Sequence, residues 1–201
     1  EFIHLIREQF HLMEEYIQET TGTTSSPFFR APYGDYNSSV LNTVGSIGYQ
    51  YTIGWSIDTL DWTGISEYAI SDSILADVHP GAIVLMHASV GAANTPESLW
   101  YSVAALRNSG YSFARIDELL ALGGYYESEE TIEIPADAPR STEITQVNTG
   151  SKTISLTIAD ASDATNARQI LANLAEATVK ATFFLNGMTD PDVLGEIAAQ
   201  G

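Results

Sequence analysis

Short β-branched and aromatic runs alternate with helical stretches along most of the chain, and this alternation restricts the fold more than any single residue does. Residues 1–20 carry a helical stripe of Phe2, Ile6, Met13 and Ile17, which stops at Thr20-Thr21-Gly22. A short strand at Phe28–Arg30, a helix over 38–47, a strand from Tyr49 to Ile57 and a helix over 66–78 are expected next. The buried-type strand Ala82–Met86 ends at His87, and a helix over 96–108, a strand 111–116 and a short helix 117–122 follow. Residues 124–150 break the pattern: Glu127, Glu129, Glu130, Glu133, Asp137 and Glu143 read as an acidic linker with a local strand at 131–134. Alternation then returns, with strands at 153–158 and 181–185 and helices at 164–177 and 190–200. Strand–helix alternation of this kind predicts an α/β fold with a parallel sheet, open or closed into a barrel.

Charge narrows the partners. With 26 acidic against 8 basic residues the net charge is -18, a surface that repels phosphate backbones and anionic lipid. Nucleic acid is not an expected partner, and no apolar run is long enough for membrane insertion. The absence of cysteine excludes disulfides and thiolate metal sites. Hydrophobic residues make up 44%, enough for a core without such staples.

Three segments lie just past successive strands. Arg30-Ala31-Pro32-Tyr33-Gly34 places an arginine at a strand end before a stiff turn. Asp58-Thr59-Leu60-Asp61-Trp62 sets two carboxylates three apart beside an indole. Leu85-Met86-His87 puts a histidine, a proton donor suited to neutral pH, at the end of an apolar strand. Taken singly, each also reads as ordinary structure: a Pro-Gly turn with an ion-paired arginine, an Asx-type turn, a hydrogen-bonded core histidine. Their order matters more, because ends of neighbouring parallel strands share one rim, where sites are built.

In that order the segments resemble the third, fourth and fifth motifs of the NodB-type polysaccharide deacetylases, which are carbohydrate esterases. Phe28–Gly34, Gly48-Tyr49, Gly81–His87 and Gly110–Phe113 extend the resemblance over residues 1–122. Residues 151–201 resemble the beginning of the same family: Lys152–Asp160 sits where a strand ends in Thr-Phe-Asp-Asp-Gly, and Val179–Gly187 matches the next strand. The later part of a domain (1–123) therefore precedes an earlier part (151–201), either as a circular permutation or as a piece across tandem repeats. The opening Glu1-Phe2-Ile3-His4 and the helix at the far end likewise read as the interiors of elements.

The resemblance implies a distorted (β/α) barrel and metal-assisted removal of acetyl groups from an N- or O-acetylated polysaccharide such as peptidoglycan or a chitin- or xylan-type glycan. It implies an extracellular or cell-surface location. A divalent metal, zinc first among candidates, would be held by Asp160 and a His-x-x-x-His pair. His87 would protonate the leaving group, Asp61 would tune His87, and Arg30 would orient the general base. Pro32, Tyr33, Trp62 and Leu85 would line the substrate site. Ala159 stands where the family has its base, Ala161 replaces a glycine, and the histidine pair is absent; His4 and His11 lie outside the motif. Weak zinc binding and an incomplete or inactive site follow for this chain alone. A non-catalytic glycan-binding or structural module is the alternative, with Tyr33, Trp55, Trp62 and Trp100 as groove aromatics. A linker of about 27 residues spans about 80 Å extended. The strands of 151–201 are thus expected to complete the sheet of 1–122, within one chain or in a domain-swapped dimer.

Overall fold

The computed structural model describes residues 2–124 and 140–200. They divide into two compact units, residues 2–54 with 140–145 and residues 55–124 with 146–200.

The first unit is built on helix α1 (Phe2–Thr21), strand β1 (Phe28–Phe29), helix α2 (Ser38–Gly45), strand β2 (Tyr51–Ile53) and strand β6 (Thr142–Ile144). The strands form a parallel sheet in the order β1-β2-β6. Phe10 of α1 packs its ring 5.2 Å from Phe29 and 4.6 Å from Tyr49. Glu14 anchors the same helix: its carboxylate accepts from Thr24 Oγ1 at 2.6 Å, Ser25 N at 3.1 Å, Tyr49 OH at 2.5 Å and Ser25 Oγ. Asn37 caps α2 by accepting from the Ser39 and Val40 amides, which the helix itself leaves unpartnered.

The second unit holds β3 (Ile57–Asp58), α3 (Glu67–Asp77), β4 (Ile83–His87), α4 (Thr95–Asn108), β5 (Ser112–Phe113), α5 (Ile116–Leu122), β7 (Thr153–Ala159), α6 (Ala164–Ala177), β8 (Thr182–Phe184) and α7 (Pro191–Gln200). All its strand pairs are parallel: β3 pairs β4, β4 pairs β7, and β7 carries both β5 and β8. Ile83–Met86 and Thr153–Ile158 are buried throughout, as expected for strands covered on both faces. The core joins Val84, Met86, Leu156 and Ile158 of the sheet to Ile70 and Ile74 of α3, Leu99 and Val103 of α4, and Ile170 of α6. Each such side chain contributes about 1.5–3 kcal/mol through burial.

The α/β class and the parallel sheet are as the sequence predicts, and β7 does lie among strands of the earlier segment. Three points differ. The single strand expected over Tyr49–Ile57 is two: at Gly54 the chain changes partner, because Gly54 N donates to Ile144 O at 2.7 Å whereas Ser56 N donates to Ile83 O at 3.0 Å. A Cβ on Gly54 would approach Thr145 Cγ2 to 3.0 Å, so the threonine methyl would have to give by a few tenths of an ångström. Within the acidic segment, residues 142–144 form β6 and pair with β2; the strand expected at 131–134 lies outside the described residues. Among the described residues the ladders make two sheets and not one continuous ring.

Candidate active site

The ends of β3, β4 and β7 converge within the second unit. Asp61 opens a 3-10 turn, Asp61–Thr63, just after β3, and its carboxyl group is fully buried. Its Oδ1 accepts from Trp62 N at 2.9 Å and lies 2.7 Å from His87 Nδ1. Its Oδ2 accepts from His87 N at 2.7 Å and from Thr95 Oγ1 at 2.6 Å. Four donors on two oxygens match the acceptor-only role of a carboxylate, and they compensate its burial. The His87 side chain remains 18% exposed. With Nδ1 held by Asp61, Nε2 is the nitrogen left for proton exchange.

Neighbouring loops support the pair. Thr59 Oγ1 donates to Leu85 O at 2.8 Å, and Asn94 Nδ2 donates to Ile65 O at 2.8 Å. A Cβ on Gly91 would lie 2.6 Å from Trp62 O, so a side chain there would push apart the turns after β3 and β4. Trp62 is 53% exposed, whereas Leu85 is buried in β4.

Asp160 stands one residue beyond the β4–β7 ladder, in which His87 pairs with Ala159. Its amide donates to Phe184 O at 3.1 Å, and its Oδ1 accepts from Asn186 Nδ2. The positions implied by the resemblance are therefore together for His87, Asp61, Trp62 and Asp160. Arg30, Pro32 and Tyr33 belong to the first unit. There Arg30 Nε donates to Ile53 O at 3.0 Å and Nη2 to Gly54 O at 2.9 Å, and burial pulls its guanidinium below its ordinary value. Tyr33 is fully exposed in the Pro32–Gly34 turn.

Backbone strain marks the same loops. Four non-glycine residues among those described have positive φ: Tyr33 (58°), Leu60 (56°), Asp160 (55°) and Thr178 (53°). Three of the four lie in the loops singled out from sequence. Such conformations cost about 1–3 kcal/mol each and gather at functional sites. Thr95 and Asn186 escaped the sequence reading, since nothing local distinguishes a threonine that will meet a buried carboxylate.

The resemblance implies a divalent metal beside Asp160. Among the described residues no group of three or more His, Asp or Glu side chains could hold an ion. Asp160, the one carboxylate at the expected position, is engaged by an amide donor. This set does not fit a catalytic zinc, which takes three protein ligands.

Comparison with known proteins points to one class of hydrolase. The polysaccharide deacetylase family model matches residues 4–52. The chain is 32% identical over 119 residues to the peptidoglycan-N-acetylmuramic acid deacetylase of Bacillus subtilis, covering 57% of this chain and 44% of that protein. It is 33% identical over 96 residues to the chitooligosaccharide deacetylase of Azorhizobium caulinodans, covering 42% and 45%. It is 38% identical over 90 residues to the peptidoglycan-N-acetylglucosamine deacetylase of Listeria monocytogenes, covering 45% and 18%. No solved structure matches the chain. The chain is thus related to polysaccharide deacetylases, as its motifs indicate, and the matches span less than half the length of each of these relatives.

Proposed function

We propose that this chain carries the proton-donating part of a polysaccharide deacetylase that hydrolyses acetyl groups from an amino-sugar glycan at the cell surface. The observation that carries the reading is the Asp61–His87 pair at the joined ends of β3 and β4, beside Asp160 at the end of β7. Hydrolysis of an amide or ester needs a proton delivered to the departing nitrogen or oxygen. His87 is suited to deliver it from Nε2, while Asp61 fixes the ring through Nδ1. Trp62, half exposed beside the pair, offers a face on which a sugar ring packs. Ala159 takes up no proton, so the base does not come from that position.

The test is acetate release from N-acetylated chitin oligosaccharides and from peptidoglycan. It uses a version of the chain carrying Ala159→Asp and an appended His-x-x-x-His segment. Release that requires His87 is the expected result. A folded protein of this kind with no release from either substrate would overturn the reading.

A further inference from the structure

A second aromatic surface lies away from the Asp61–His87 pair. Helices α3 and α4 enclose an open groove of about 530 Å³ lined by Tyr68 and Asp72 from one helix and by Trp100, Tyr101 and Asn108 from the other. Tyr68 and Tyr101 are 54% and 38% exposed, their rings lie 4.7 Å apart, and their hydroxyls are 3.2 Å apart. Two large aromatic rings held open to solvent are not needed by the core, which lies on the other side of these helices at Ile70, Ile74, Leu99 and Val103.

The electrostatics choose the ligand. The lining contains no lysine or arginine and includes Asp72. Asp72, Glu67 and Glu97 take part in none of the ion pairs found among the described residues. The Tyr101 phenol is pushed up to about 12, chiefly by its hydrogen bond to Tyr68, and Glu97 and Glu67 add to the rise through their negative charge. Aromatic faces under negative potential favour a cation over a neutral or anionic group. Tyr101 shares α4 with Thr95, which touches Asp61; six residues at 1.5 Å each set the two about 9 Å apart along the helix axis, on different faces.

From this juxtaposition we infer that the α3–α4 groove binds a glycan carrying free, protonated amino sugars, with Trp100 and Tyr101 as stacking faces and Asp72 as the partner of the ammonium group. The inference rests on the deacetylase reading, because deacetylation of an N-acetylated glycan produces that group. Product units would be retained on the groove while acetylated units remain at the rim.

Isothermal titration of the 201-residue chain with a glucosamine tetramer, an N-acetylglucosamine tetramer and a lysine tetrapeptide is the test. The glucosamine tetramer should bind at least ten-fold more tightly than the other two, and the preference should shrink as salt rises. Trp100→Ala and Tyr101→Ala, checked for folding by circular dichroism, should each weaken binding about ten-fold. Asp72→Asn should remove the preference for the amine. His87→Ala should bind as the parent does, so that loss of the catalytic reading alone leaves this result standing. Unchanged binding by the folded aromatic variants would overturn the inference. So would equal binding of the lysine peptide, or light scattering showing that the groove is closed by a second copy of the chain.

Discussion

Among the described residues no lysine or arginine pairs with the buried Asp61, so its burial is compensated by the four donors around it. Thr95 is the donor whose removal tests this arrangement most cleanly. Thr95→Val keeps the shape and deletes one hydrogen bond to a charged group, which is worth about 1.5–3 kcal/mol. Urea denaturation should show that loss, and Thr95→Ser should recover most of it. His87→Ala, in the version of the chain competent for acetate release, should lower kcat about 10²–10⁴-fold with little change in KM. Folded fraction measured alongside turnover separates this from a structural role: normal kcat in a folded His87→Ala protein would refute proton donation. The pairing of Asp61 with His87 was legible in the sequence because both stand near the C-terminal ends of neighbouring strands, His87 as the last residue of β4 and Asp61 just past β3. Thr95 was not, because its partner is fixed by how α4 docks and not by any neighbour in the chain.

The elements make their own predictions. In the first unit, burial by itself would raise Glu14, but the hydrogen bonds it accepts from Ser25, Thr24 and Tyr49 outweigh that and hold it below the ordinary carboxylate value. A depressed folded value means that Glu14 stabilises the unit fully above the unfolded value near 4.5 and loses this contribution as pH falls through the folded value. Protection factors of α1 amides, corrected for the intrinsic exchange rate at each pH, should therefore fall below about pH 4.5. Glu14→Gln should remove most of that pH dependence and cost about 1 kcal/mol at neutral pH. In the second unit, Gly81 enters β4 at φ 79°, and a Cβ there would lie 1.7 Å from Val147 O. Gly81→Ala combines a disfavoured backbone with a clash against main chain, so a loss above about 3 kcal/mol is expected in thermal unfolding. Most elements were readable from periodicity; the break at Gly54 was not, because Trp55-Ser56-Ile57 continues the same strand-like composition while the hydrogen bonds pass from Ile144 to Ile83. Likewise the acidic composition around Glu143 hid β6, whose three residues are specified by pairing with Tyr51–Ile53.

For the whole molecule, the donor set predicts that zinc leaves on dialysis. Elemental analysis should find well under one equivalent, and a stoichiometric, chelator-sensitive ion would overturn this expectation and point to ligands other than Asp160. The relation to deacetylases, the α/β class and the convergence of His87 with Asp160 were all visible in the motifs, whereas the division into two sheets depends on long-range pairing that no local pattern encodes. That pairing also sets an order of events during synthesis. Strand β4 finds β7 only across about seventy residues, Ile83 with Ser155 through His87 with Ala159. Until the ribosome has delivered residue 159, the apolar strand Ile83–His87 has an open edge, and such edges recruit other chains. Slow, late closure follows from so distant a contact, and nascent chains stalled between β6 and β7 would be the species most dependent on chaperones.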